Sequence, residues 1–170
     1  MGIAHISRMA LAATVLAISS SSTALAVELV AFREEAKAGT IVVMTGERRL
    51  YYTLGSGQAL RYPVGVGRSG RQWSGAVVIA GKHIAPNWAP PAEIKRDRPG
   101  VPDIIEGGSP ANPMGAAALT LSGGSYAIHG TNAPKSIGGF VSYGCIRMFN
   151  ADIVDLFDRV AVGTPVVVMR

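Results

Sequence analysis

The chain's single cysteine, Cys145, lies in Ser142-Tyr143-Gly144-Cys145-Ile146-Arg147-Met148. A histidine, His129, stands upstream in Tyr126-Ala127-Ile128-His129-Gly130-Thr131-Asn132. A thiol becomes a nucleophile when a neighbouring base or cation favours its thiolate. These residue types therefore suit acyl transfer, with Cys145 as nucleophile and His129 as base. Glycine at 144 lets a substrate carbonyl approach the backbone, so the N–H groups around Tyr143, Gly144 and Cys145 are candidates to hold an oxyanion. Arg147 is permanently charged and carries a planar fork that matches a carboxylate. A surface ion pair with Asp152 or Asp155 is the competing role for it. A buried, inert cysteine is common in proteins. Here the neighbours are glycine, tyrosine and arginine rather than the Val, Leu and Ile of a strand interior, which favours a reactive thiol.

The choice of base is narrow. Of the three histidines, His5 falls in an N-terminal leader, leaving His83 and His129. His83, in Gly81-Lys82-His83-Ile84, ends a strand pattern with nothing reactive beside it and reads as structural or solvent-facing. His129 also ends a strand pattern, and Gly130 follows it. That placement presents the imidazole where a loop can deliver a thiol, so the Gly138-Gly139 link must fold back. One cysteine and dispersed histidines lack zinc spacing, and no Asp/Glu cluster suits a hard cation. There is no Gly-x-Ser-x-Gly elbow and no phosphate loop opening a helix. The chemistry calls for no cofactor and no metal.

The elements that must position these groups read as β-rich. Residues 1–26 have the layout of a secretory signal peptide: Arg8, an apolar run from Met9 to Ile18, and Ala24-Leu25-Ala26 as a cleavage site. Residues 27–39 are a lead-in, helical or extended. From Thr40, β-branched and aromatic runs alternate with Gly-containing turns, predicting strands at 41–44, 48–54, 59–66, 76–80, 117–121 and 126–129. Between them runs a long Pro-rich loop with Pro86-Asn87-Trp88-Ala89-Pro90-Pro91. Trp88 is a candidate substrate contact there, although core anchoring competes as a role for both Trp88 and Trp73. Asn150 is placed to cap a helix bearing Ile153, Val154, Leu156, Phe157 and Val160 at helical spacing. Thr164–Met169, uniformly apolar, is expected as a buried strand. The net charge of +5 suits an anionic partner. Its scattered basic residues, without aromatic interleaving, argue against nucleic acid.

The run His129-Gly130-Thr131, Ile137-Gly138 and Ser142-Tyr143-Gly144-Cys145-Ile146-Arg147-Met148 resembles the L,D-transpeptidase catalytic-domain family. Similarity extends to Gly39-Thr40-Ile41-Val42-Val43, Tyr62-Pro63-Val64-Gly65-Val66-Gly67, Asn112-Pro113-Met114-Gly115, Asn150-Ala151-Asp152 and Val162-Gly163-Thr164-Pro165-Val166. Two positions depart: many members carry His where Tyr143 stands, and many carry Arg where Ala117 stands. The family's base matches His129, so the nucleophile–base pair is whole.

The resemblance implies a mainly β catalytic domain over 40–170, a sandwich with one or two short helices. It also implies acyl transfer on peptidoglycan stem peptides in the periplasm or envelope of a bacterium. Cys145 would form a thioester with the tetrapeptide stem, release D-Ala and pass the acyl group to an amine, giving a 3→3 cross-link. Ser142 and the Gly130 carbonyl would support the loop and the imidazole tautomer, Arg147 would orient a substrate carboxylate, and carbapenems would inhibit. Two other readings stand beside it. One is an L,D-carboxypeptidase or other cysteine hydrolase of the wall, and the other a non-catalytic wall-binding module with an incidental thiol.

Overall fold

The computed structural model describes residues 27–33 and 35–170, so the leader expected over 1–26 lies outside the described residues. The lead-in forms an extended strand, β1 (Glu28–Ala31). Three strands follow that hairpin turns connect or a short loop joins: β2 (Ile41–Met44), β3 (Arg49–Gly55) and β4 (Gln58–Pro63). A two-residue β5 (Val66–Gly67) leads to the long β6 (Gly75–Ile84). Helix α1 (Ala92–Asp97) interrupts the Pro-rich excursion, which ends at β7 (Ala117–Leu121) and β8 (Ala127–His129). Then come β9 (Phe140–Ser142), β10 (Ile146–Arg147), α2 (Asn150–Arg159) and β11 (Pro165–Met169).

The larger sheet has the order β1-β4-β3-β2-β11-β6-β7-β8-β10, and β5 pairs with β9 in a second, two-stranded sheet. Strand β6 joins the two halves of the large sheet. Its first residues pair with β11 and its last with β7, with a register shift between Ile79 and Gly81. One core lies between these halves. It takes Ile41, Val43, Leu50 and Tyr62 from β2–β4, and Leu119, Leu121, Ile128 and Ile146 from β7, β8 and β10. The pairings Val43↔Leu50 and Leu50↔Tyr62 keep buried residues opposite one another, as alternation in a half-buried strand requires.

Helix α2 covers the same core with Ile153 and Leu156. Its last carbonyls are taken up from the side: Lys82 Nζ donates to Phe157 O at 2.7 Å and Val160 O at 2.6 Å. That satisfies helix-end acceptors with a cation at the negative end of the dipole.

Two expectations change, on β11 and on the Pro-rich segment, and the lead-in, left open as helical or extended, takes one of its two forms. Strand β11 is central, yet only Val166 and Val168 are buried, while Pro165 and Met169 are exposed. A uniformly apolar run signals burial on both faces, but β11 alternates like its neighbours. The lead-in is extended: β1 pairs antiparallel with β4, and Phe32 packs on Tyr51 with ring centroids 5.0 Å apart. This forms a small second cluster on the outer face with Val42 and Ala59. The Pro-rich segment is not a bare loop. It holds α1, is clipped by backbone bonds between Trp88 and Ile105, and is closed at its base by Asn112. The Asn112 amide is directed at the carbonyls of Pro86, Ile105 and Glu106.

Candidate active site

The site is built on two adjacent parallel strands. In the β8–β10 pair, Ile146 lies opposite Ile128 and Arg147 opposite His129. Side chains alternate along a strand and paired residues share a face. Arg147 therefore projects on the side of His129, and Cys145 stands just before β10, near enough for the Arg147 charge to act on it. The Gly138-Gly139 link returns the chain for this pairing, with Gly138 N–H bonded to Val64 O at 3.1 Å and Val66 N–H to Gly139 O at 3.0 Å.

His129 is buried, and its Nδ1 donates to the carbonyl of Gly130 at 2.6 Å. This bond assigns the proton to Nδ1 and leaves Nε2 as the acceptor, the tautomer a general base needs. Burial, and after it the Arg147 charge, push the imidazole down to about 4 against the pull of the Gly130 and Pro113 carbonyls. Cys145 remains partly accessible. Burial of its sulfur raises the thiol above its ordinary range, with the Ala127 backbone and Arg147 opposing that rise. The resting pair is thus neutral thiol and neutral imidazole.

The loop before Cys145 is held from several directions. Ser142 is buried, and its Oγ donates to Cys145 O at 2.6 Å while accepting the Gly144 N–H at 3.0 Å. The Gly144 N–H is therefore engaged and is not an oxyanion donor in this arrangement. The N–H groups of Tyr143 and Cys145 have no acceptor among the described residues. Gly144 has φ +125°, and a Cβ there would fall 2.3 Å from Cε1 of Tyr126. Only glycine fits.

Arg147 bonds through its backbone to Gly65, at 2.8 and 2.9 Å. Its half-buried guanidinium has one weak contact, Nη1 to Ser136 Oγ at 3.5 Å, and a buried Nε without a partner. No ion pair with Asp152 or Asp155 forms among the described residues; Asp155 binds Arg159 and Tyr62 instead. Burial lowers the pKa of Arg147, and the charge of Arg98 bears on it in the same sense. Arg98, at the end of α1, has no carboxylate partner among the described residues either. Two guanidiniums without carboxylate partners are thus close enough to feel each other's charge, which favours an anionic ligand.

Several of these residues escaped the sequence reading. Trp73 donates its indole N–H to Gly144 O at 2.9 Å and stacks on Tyr126 at 5.2 Å between centroids. Asn150, expected as a cap, makes no capping bond, and Phe149 takes that position. The Asn150 Oδ1 instead accepts N–H groups of Ala116 at 3.1 Å and Thr131 at 3.0 Å, tying the segment after His129 to the end of the excursion. Trp88 is half-buried within the excursion, with its backbone paired to Ile105, and no hydrogen bond joins it to Cys145, His129 or Arg147. Among the described residues no group of three His, Cys, Asp or Glu side chains gathers to hold a metal.

A thiol and a buried neutral imidazole, each acted on by Arg147, with spare backbone donors in the thiol loop, suit the chemistry of cysteine acyltransferases. Known proteins agree. The model of the L,D-transpeptidase catalytic domain matches residues 38–168, and the chain belongs to that family. ErfK/SrfK of Escherichia coli K12, a probable L,D-transpeptidase, is 42% identical over 135 residues, 74% of this chain and 42% of the relative. YbiS of the same strain, also a probable L,D-transpeptidase, is 40% identical over 135 residues, 74% of this chain and 43% of the relative. This chain therefore spans less than half the length of either relative. An NMR structure of the catalytic domain of the Enterococcus faecium L,D-transpeptidase acylated by ertapenem shares the fold. Its TM-score is 0.58 at 19% identity, covering 76% of this chain and 95% of that one.

Proposed function

We propose that this chain catalyses peptidoglycan L,D-transpeptidation through a thioester on Cys145. The observation that carries the proposal is the Nδ1-to-Gly130 bond of His129 on a strand paired in register with the one that follows Cys145. Cys145 Sγ attacks the carbonyl that joins the L-centre of the third stem residue to the terminal D-Ala. His129 Nε2 takes the thiol proton, and the N–H groups of Tyr143 and Cys145 receive the oxyanion. The C–N bond then breaks, and D-Ala leaves with the proton from His129. An amine of a neighbouring stem attacks the thioester, gives its proton to His129 and releases the thiol as the 3→3 amide bond forms.

Arg147, with Arg98 beside it, orients the stem carboxylates, and Ser142 holds the thiol loop in shape. Export through the leader delivers the protein to the envelope, where this polymer lies. The ertapenem acyl form of the Enterococcus faecium neighbour supports inhibition by carbapenems.

Product analysis separates the acceptors. Purified protein incubated with tetrapeptide muropeptides is expected to yield cross-linked dimers and free D-Ala. Trimmed tripeptide with no dimer would replace the transpeptidase by an L,D-carboxypeptidase.

A further inference from the structure

Tyr143 stands two residues before the thiol, and its side chain turns away from the His129 face of the site. Its hydroxyl donates to Asp97 Oδ2 at 2.6 Å, and the same oxygen accepts Arg68 Nη2 at 3.2 Å. The Arg68 guanidinium carbon lies 4.0 Å from the centroid of the Tyr143 ring, so the cation also covers the ring face. Three segments meet here: the turn after β5, the last residue of α1 and the thiol loop. Arg71, from the same turn, pairs with Glu93, one helical turn before Asp97 on the same face of α1. The Arg68 backbone N–H also binds Ser142 O at 2.9 Å, which ties the turn directly to the thiol loop.

Helix α1 has six residues, none of them buried. A helix this short is unstable alone, and no apolar burial holds it in place. The Lys95–Asp103 pair and the Trp88–Ile105 clip brace it within its own segment, and the polar contacts to Arg68, Arg71 and Tyr143 tie it to the turn after β5 and the thiol loop. Arg98 directly follows Asp97, so the position of α1 also sets where that guanidinium stands relative to Arg147.

We propose that Asp97 and Tyr143 are positioning residues that latch α1 against the thiol loop and make α1 a wall of the stem-peptide cleft. This deepens the acyl-transfer reading and rests on it. The thiol itself is held independently by Ser142 and Trp73. Loosening the latch should therefore harm recognition of a peptide more than intrinsic thiol reactivity.

The test compares wild type with Asp97→Asn, Tyr143→Phe and the double variant in three measurements. These are acylation by a tetrapeptide stem fragment, alkylation of Cys145 by iodoacetamide, and hydrogen exchange over residues 92–98. Each single variant is expected to lose about tenfold in stem acylation, through KM more than kcat, as for one charge-assisted hydrogen bond. Alkylation should stay within about twofold, exchange in α1 should quicken, and the two single effects should not add in the double variant because both act on the Tyr143–Asp97 bond. Stem acylation unchanged, or stem acylation and alkylation falling together, would overturn the latch. If the wild type itself resists the stem fragment, the acyl-transfer reading is what fails. Exchange in α1 then decides the latch by itself: quickened exchange supports it and unchanged exchange overturns it.

Discussion

The imidazole of His129, pushed down to about 4 by burial, stays unprotonated across the neutral range and needs no partner to remain a base. The acid limb of acylation by ertapenem should therefore fall near pH 4, and rates measured from pH 5.5 to 7 should not trace a titration near 6.5. Stability carries the same signature. The folded state holds this histidine neutral whereas an unfolded one titrates at 6.5, so the stability present above pH 6.5 is lost as pH falls toward 4. The slope is about 1.4 kcal/mol per pH unit for the one proton. Asp152 has the opposite sign. Burial, with Asp155 beside it, pushes its carboxyl up to about 6 from 3.8, and its Oδ2 has no hydrogen-bond partner among the described residues. It costs stability above pH 6 and costs nothing below 3.8. Asp152→Asn should stabilise the protein at pH 7.5 by about 1–3 kcal/mol, with the gain vanishing near pH 4 in thermal melts.

Cys145, His129 and Arg147 were legible in the sequence because their chemistry resides in residue type. Trp73 and Asp97 were not. Their importance comes from contacts made across the chain, to Gly144 and Tyr143, and nothing local to either residue announces those partners.

The turns and short elements around the thiol depend on close backbone approaches. Gly144→Ala would place a Cβ within the Tyr126 ring at a positive φ. It is expected to lower acylation at least about a hundredfold with the fold retained, checked by stem acylation alongside circular dichroism. Asn150→Ala removes one acceptor from two N–H groups. It should lower the melting temperature by several degrees, equivalent to about 1–2 kcal/mol. The longer strands were readable from alternation and Gly-marked turns and α2 from its apolar stripe, whereas β1, β9 and β10 were too short to show a pattern. Helix α1 was not, because it buries nothing and follows Pro90 and Pro91, so neither stripe nor cap marked it. Asn150 was misassigned for an instructive reason. Asn before an apolar stripe is a standard capping signal, yet here the side chain serves strands from elsewhere in the chain.

At the scale of the whole molecule, a bent sheet and α2 enclose one core, and the site lies at the sheet's β8–β10 end. The mainly β class followed from strand patterning, and the sandwich of sheets from the family resemblance. The bend within β6 did not, since a single long apolar strand gives no sign that it serves two halves. The chain carries a net charge of +5, which includes Arg98 and Arg147, two guanidiniums without carboxylate partners among the described residues. Binding to isolated sacculi should accordingly weaken between about 50 and about 300 mM NaCl, as screening shortens the reach of exposed charges.

The central claim is that Cys145 is the nucleophile and His129 its base. Mass spectrometry of the protein incubated with a tetrapeptide stem fragment, and separately with ertapenem, tests it most directly. The expected result is a covalent adduct on Cys145, absent in Cys145→Ala and formed at least about a hundredfold more slowly in His129→Ala. An adduct that persists in Cys145→Ala, or no adduct under either condition, would contradict the account.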